Sequence, residues 1–298
     1  MDLPLLGALE GGGTKMVCAV GTADGTVLDR ASFETGLPET TLPRLIHYFQ
    51  DKGIQALGIG SFGPVDLRAE SKTYGYITST PKPGWAYIPF MPILRDALEI
   101  PVAFDNDVNA AALGEWKLGA GCGLNSLVYI TVGTGVGAGI VAEGRLVHGL
   151  VHPELGHMLL RPEPGEINPR GVCPYHDGCL EGLASGPSIQ KRWNMPAREL
   201  PPDHRAWELE TGYLAQCCAN VIVAYSPERI VLGGGVMQQE FLYSRIRART
   251  LELLGGYVRS DIIERTPETY IVPPALGNNS AVVGALLLAN QIIHPDRG

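Results

Sequence analysis

Leu5-Leu6-Gly7-Ala8-Leu9-Glu10, then Gly11-Gly12-Gly13-Thr14-Lys15, then Met16-Val17-Cys18-Ala19-Val20 read as a strand, a tight glycine turn and a returning strand. A turn at Ala23-Asp24-Gly25 leads into a third strand at Thr26-Val27-Leu28. The same order recurs more than a hundred residues later. Leu127-Val128-Tyr129-Ile130-Thr131-Val132 is followed by the turn Gly133-Thr134-Gly135-Val136-Gly137, the strand Ala138-Gly139-Ile140-Val141, a turn at Ala142-Glu143-Gly144 and a further strand. Two such hairpins at matching positions predict duplicated lobes facing each other across a cleft, an arrangement suited to a nucleotide. Glycines allow close backbone approach to phosphate, while free amides and threonine hydroxyls supply donors. Taken singly, either hairpin reads more readily as an ordinary one, and neither has P-loop spacing.

Outward from each hairpin, helical and strand patterns alternate. Leu42, Leu45, Ile46 and Phe49 predict a helix over Thr41 to Lys52, before a strand at Ala56 to Ile59. Leu214, Cys217, Cys218, Val221, Ile222 and Tyr225 form a second helical stripe, ending at Pro227 before a strand at Arg229 to Leu232. This alternation argues for an α/β class. The adjacent Cys217 and Cys218 then read as small buried hydrophobes.

Val102-Ala103-Phe104-Asp105-Asn106-Asp107 reads as a strand with a polar end, continuing into a helix at Ala110 to Trp116. A carboxylate at such a junction can reach a substrate hydroxyl, and an Asp there can equally cap the helix. Ser61 to Phe90 shows little periodicity but holds Ser61-Phe62-Gly63-Pro64 and Thr80-Pro81-Lys82-Pro83-Gly84-Trp85, either elements of a sugar pocket or a plain surface loop. The strand at Arg229 to Leu232 runs into Gly233-Gly234-Gly235-Val236-Met237, a third glycine turn that could lie against a nucleotide.

His157, Cys173, His176 and Cys179 offer two imidazoles and two thiols, a tetrahedral set suited to zinc. The prolines and glycines between Arg161 and Gly178 rule out a regular helix or central strand there, so a metal clip would offset the entropy of ordering the segment. Free buried thiols or a Cys173/Cys179 disulfide are the competing readings. Four protein ligands leave no open position, so a zinc held here is structural.

Composition bounds the function. The 298 residues are 45% hydrophobic and 18% charged, ordinary for a globular protein long enough for two lobes. A formal charge of -8 without runs of like charge argues against nucleic-acid and anionic-membrane partners. Met1-Asp2-Leu3-Pro4-Leu5-Leu6 lacks a basic leader region, no stretch has the ~20 apolar residues of a membrane span, and the six cysteines fit a reducing, cytoplasmic setting.

Together these segments resemble the ROK family, and within it the zinc-containing fructokinases, from Gly7 to about Asn290. The resemblance rests on Glu10-Gly-Gly-Gly-Thr-Lys15, Asn106-Asp-Val-Asn-Ala-Ala-Ala-Leu-Gly-Glu115, Thr131-Val-Gly-Thr-Gly-Val-Gly137, His152-Pro-Glu-Leu-Gly-His157 and Cys173-Pro-Tyr-His-Asp-Gly-Cys-Leu-Glu181. It implies an actin-like ATPase (ribonuclease H-like) fold with a duplicated β-hairpin core. The expected lobes are residues 1–117, completed by a C-terminal helix over 280–298, and a larger lobe over 118–279. It further implies an ATP-dependent hexose kinase, with D-fructose the expected sugar and Asp107 the general base. Gly63, Pro64, Asn106, Glu154, His157 and Glu181 are expected at the sugar. Gly11, Gly12, Gly13, Thr14, Lys15, Thr134, Pro187, Gly233, Gly234, Gly235, Val236 and Met237 are expected at ATP, with Mg²⁺ beside it and Zn²⁺ on the four-residue set. A homodimer is expected too. Glu10 stands where many members have Asp, and Cys173-Pro-Tyr-His176 where many have Cys-x-Cys-Gly; both narrow the resemblance toward fructokinases. A broad glucose, mannose or N-acetylmannosamine kinase is the alternative. A noncatalytic sensor is disfavoured by Asp107, and a DNA-binding repressor by a first strand that begins within a few residues of Met1.

Overall fold

In the computed structural model, which describes residues 4–294, the opening hairpin is β1 (Leu6–Gly11) and β2 (Lys15–Gly21). Residues 1–3 of the expected leader-free stretch and 295–298 of the expected C-terminal helix lie outside the described residues. The third strand, β3 (Val27–Glu34), runs well past the expected Leu28, because alternate side chains face solvent along an edge of the sheet. Next come α1 (Pro38–Phe49), β4 (Ala56–Ser61), α2 (Phe90–Leu98), β5 (Val102–Asn106) and α3 (Asp107–Leu118). Helix α1 starts three residues earlier than predicted, since Pro38 occupies the first turn, where a missing N–H costs nothing. It also ends at Phe49, short of Lys52.

The second hairpin is β6 (Leu127–Val132) and β7 (Val136–Ala142), with a two-residue β8 (Arg145–Leu146). Helices α4 (Leu180–Ala184), α5 (Gly186–Trp193) and α6 (Ala206–Tyr225) precede β9 (Ile230–Gly233). The chain continues through α7 (Phe241–Leu254), α8 (Asp261–Arg265), α9 (Pro267–Tyr270), β10 (Ile271–Val272) and α10 (Ser280–Ile293).

The two sheets are topological copies. One has the order β3-β2-β1-β4-β5 and the other, read from its opposite edge, β8-β7-β6-β9-β10. In each, the hairpin is antiparallel, and its first strand pairs in parallel with the strand after the crossover: β1 with β4, and β6 with β9.

Two compact units result. One comprises Met1–Cys122, Leu146–Pro153 and Asn278–Gly298; the other comprises Gly123–Arg145 and Glu154–Gly277. The expected division differs from this one, since the first unit runs on to Cys122 and resumes at Asn278. The second unit is not the larger, and the short segment Leu146–Pro153 belongs with the first unit. That segment is held there by side chains: His148 bonds Asp105 and His152 bonds the backbone of Val65.

In the first unit, one face of the sheet packs Leu9, Leu57 and Ile59 against Leu45, Phe49, Trp85, Phe90 and Leu94. The opposite face packs Leu6, Ala8, Val17, Ala19 and Ala56 against Val282, Ala285, Leu286 and Ala289 of α10. Each fully buried aliphatic chain of this kind stabilises the fold by about 1.5–3 kcal/mol. Helix α10 comes unusually close. A Cβ built on Gly58 of β4 would collide with the carbonyl of Ala285, and one on Gly284 with the carbonyl of Ala110 in α3.

Trp85 corrects one expectation. Within the irregular 61–90 segment it is fully buried, its Nε1 donates to Gly36 O at 2.9 Å, and its ring meets Phe62 and Phe90 edge-on. It is part of the core and not the wall of a sugar pocket. In the second unit most of α6 is buried, Cys217 and Cys218 included. Among the described residues no helix is long and apolar enough to cross a membrane.

Candidate functional site

Three parallel strands of the first unit end in one row. The register pairs Gly11 of β1 with Ser61 of β4, and Ser61 with Asn106 of β5. The Gly11–Lys15 turn, the Ser61–Pro64 segment and the start of α3 therefore leave the sheet together, at the carboxyl ends where open α/β sheets collect ligands. Gly13, Thr14 and Lys15 are exposed, and the turn is closed by Gly12 N donating to Lys15 O at 2.9 Å. Gly63 and Pro64 are half-buried and joined by a cis peptide; Pro64 O accepts from Thr78 N at 2.7 Å.

At the junction of β5 and α3 the polar residues divide their work. The helix cap is Asn106, whose Oδ1 accepts from Asn109 N at 2.6 Å. Asp107 is the first helical residue, half-buried, and its Oδ1 accepts from Val108 N at 2.9 Å. Asn106 has its Nδ2 buried with no hydrogen-bond partner among the described residues. Asp105, which sequence reasoning left without a role, is a buried hub. Its Oδ1 accepts from Asn106 N at 2.7 Å and Asn109 Nδ2 at 2.8 Å, and its Oδ2 from His148 Nε2 at 2.8 Å. No local pattern around Val147-His148-Gly149 signals this contact, which spans 43 positions of sequence.

In the second unit the residues expected at a nucleotide converge. Gly186 N, at the start of α5 beside the exposed Pro187, donates to Gly133 O at 2.8 Å in the turn that carries exposed Thr134. Gly234 has a φ of +94° and lies so close to the backbone of Val132 that any side chain would collide with it. Val236 and Met237 are buried, so what the turn presents at the surface is the backbone at Gly235 and not these side chains. Glu181 reaches the same turn, where its Oε2 accepts from Val136 N at 3.0 Å. Glu154 is exposed at its surface, yet the surrounding protein, and then the charge of Glu181, push its carboxyl up to about 7.

His157, Cys173, His176 and Cys179 come together with one ligand atom from each within 4.8 Å of all the others. Cys173 Sγ is 3.8 Å from His157 Nδ1 and 3.6 Å from His176 Nδ1, and Cys179 Sγ is 3.8 Å from His157 Nδ1. With metal–sulfur bonds of about 2.3 Å and metal–nitrogen bonds of about 2.0–2.1 Å, a tetrahedral ion needs sulfur–nitrogen edges of about 3.6 Å, so the set fits. The six cysteines are free thiols. Burial pushes the Cys179 thiol up to about 11.

The irregular 161–178 segment also has a second anchor, which sequence reasoning missed. Glu166 Oε1 accepts from Arg192 Nε at 2.9 Å and its Oε2 from Tyr213 Oη at 2.7 Å, with both charged side chains 1% exposed. A buried pair of this kind fixes geometry more than it adds stability.

Comparison with known proteins now decides the family. The sequence model described as "ROK family" matches residues 6–292. The chain belongs to the ROK family. A Bacillus subtilis (strain 168) relative is 48% identical across 98% of this chain and 97% of its own length. A protein of Pediococcus pentosaceus named fructokinase is 45% identical across 97% of this chain and 99% of its own. Among solved structures, a ROK hexokinase from Thermus thermophilus superposes with a TM-score of 0.77 at 28% identity, covering 98% of this chain and 99% of that one. The two mixed sheets are thus those of the actin-like ATPase fold of the ROK kinases.

Proposed function

We propose that this ROK-family chain is a fructokinase that transfers the γ-phosphoryl group of ATP to D-fructose, giving D-fructose 6-phosphate and ADP. The observation that carries the reaction class is the place of Asp107, a carboxylate at the carboxyl end of β5 in line with the ends of β1 and β4. Near-full-length similarity to a protein named fructokinase supports the choice of sugar.

Asp107 takes the proton from the sugar hydroxyl as the freed oxygen attacks the γ-phosphorus and the bond to ADP breaks. Asn106 offers its unspent Nδ2 to a sugar hydroxyl, and Gly63 and Pro64 edge the same sugar. Glu154 suits a polyol, because a carboxyl pushed up to about 7 can donate or accept, and Glu181 adds a second carboxyl group for the sugar hydroxyls. The Gly11–Lys15 turn, Thr134, Pro187 and the Gly233–Met237 turn bind the nucleotide through backbone amides and the Thr134 hydroxyl. Magnesium enters with ATP and neutralises charge on its phosphates. A coupled assay with ATP and a hexose panel tests the reading. Fructose is expected to exceed glucose, mannose and N-acetylmannosamine in kcat/KM by at least about tenfold, and parity among the four would replace fructokinase with a broad hexose kinase.

Zinc is the ion that suits His157, Cys173, His176 and Cys179. Through Nδ1, His157 would join the metal while Nε2 turns to the sugar. The ion would hold the 161–178 segment and take no part in phosphoryl transfer. Elemental analysis should find about one zinc per chain, and chelation should lower the melting temperature by about 5 °C or more. Metal-free protein with native melting would remove the ion from the reading, as would a fully active, native-melting Cys173→Ser/Cys179→Ser variant. A cytoplasmic homodimer completes the proposal, and a light-scattering mass near 31.9 kDa would reject the dimer.

A further inference from the structure

Asp105 is almost fully buried, yet it lies only two positions before Asp107, about 7 Å along an extended chain. A buried carboxylate needs donors and a countercharge. Asn106 N and Asn109 Nδ2 saturate one oxygen, but both are neutral. The other oxygen is held by His148 Nε2 at 2.8 Å, from a histidine 44% exposed to water.

That histidine carries its proton readily. The hydrogen bond to Asp105 raises its pKa above the ordinary value, against the desolvation that lowers it. Of the titratable groups around it, Asp105 favours the imidazolium, while the buried His152 is itself pushed toward the neutral form, chiefly by desolvation. His152 then accepts from Val65 N at 3.2 Å, just after the Gly63–Pro64 peptide. One short segment thus pins two of the three strand ends in the row that carries the first unit's candidate residues.

We infer that His148 is a positioning residue for phosphoryl transfer: through Asp105 it fixes the turn into α3 and balances the buried charge beside Asp107. The inference rests on the reading of Asp107 as general base. Without the histidine, Asp105 Oδ2 loses the imidazole that holds it and Asp105 is left with neutral donors alone among the described side-chain contacts, so Asp107 would face an uncompensated neighbour and a looser helix start.

The test is a double-mutant cycle with His148→Ala and Asp107→Asn, beside His148→Gln, whose amide keeps a donor. His148→Ala is expected to lower kcat about tenfold, with KM for fructose within about threefold and native melting, and His148→Gln to recover most of the loss. In the Asp107→Asn background the same change should cost less than about twofold, since the group it serves is gone. A His148→Ala enzyme within about twofold of native kcat overturns the inference. So does an equal loss in both backgrounds, or a loss that follows a lowered melting temperature and that glutamine fails to restore. Full turnover in Asp107→Asn alone removes the base reading, and this inference with it. A dead Asp107→Asn beside a native-like His148→Ala removes only the inference.

Discussion

Asp107→Asn should lower turnover ~100-fold to ~10,000-fold, or roughly 3 to 5 kcal/mol of barrier, while fructose and ATP still bind. The structure separates this loss from a folding defect. Before the fold was known, an Asp at this junction had two possible tasks, base and helix cap. The cap is Asn106, which holds Asn109 N at 2.6 Å, so the substitution leaves the cap in place. What it does remove from the helix is one negative charge in the first turn, worth about 0.3–1 kcal/mol against the helix dipole. The expected barrier increase is several times larger. A coupled assay, a calorimetric titration with fructose and a melting curve on one preparation therefore give a clear pattern: turnover collapses, affinity persists, and melting falls by at most a few degrees. Retained turnover would reject Asp107 as the base.

How much of this was legible in the sequence depended on whether the partners of a residue lie close in the chain. The duplicated hairpin was legible because its signal is local: apolar runs joined by glycine turns, whose order alone specifies two sheets of like topology. The ligand set His157, Cys173, His176 and Cys179 was legible because three of its members share seven residues of sequence. Helix α3 was legible but its start was placed at Ala110, three residues late, and the division of roles among Asp105, Asn106 and Asp107 was not legible at all. That division depends on His148, 43 positions away and in a segment with no periodic pattern. The same applies to Glu166, whose partners Arg192 and Tyr213 sit on different helices. Trp85 was misread for a related reason. An aromatic residue among prolines and glycines looks exposed until the core that covers it, here Phe62, Phe90 and the Gly36 carbonyl, is assembled.

The contact of α10 with α3 and β4 supplies the largest expected loss of stability. Glycine at 284 carries a cost, since alanine is about 1 kcal/mol better in a helix interior. On an exposed helix, Gly284→Ala would therefore stabilise. Here the added Cβ would meet the carbonyl of Ala110, and backbone cannot swing aside as a flexible side chain can. Nor can α10 retreat, because Val282, Ala285, Leu286 and Ala289 are buried against the sheet, Gly58 sits under the carbonyl of Ala285, and Ser280 Oγ donates to Glu115 Oε1 at 2.7 Å. Overpacking of this kind costs typically about 1–3 kcal/mol and more when rigid groups collide, so it outweighs the propensity gain. Gly284→Ala is expected to lose about 2 kcal/mol, and Gly284→Val, with two further methyl groups and a stiff χ1, about 4 kcal/mol or the ability to fold. Urea unfolding of both variants measures this directly, and an alanine variant as stable as the native chain would show that the helices have room to part. Function should follow stability at this position. Ala110, whose carbonyl the new side chain would push, lies three residues from Asp107 on the same helix, so a displacement of α3 that relieves the clash also moves the proposed base.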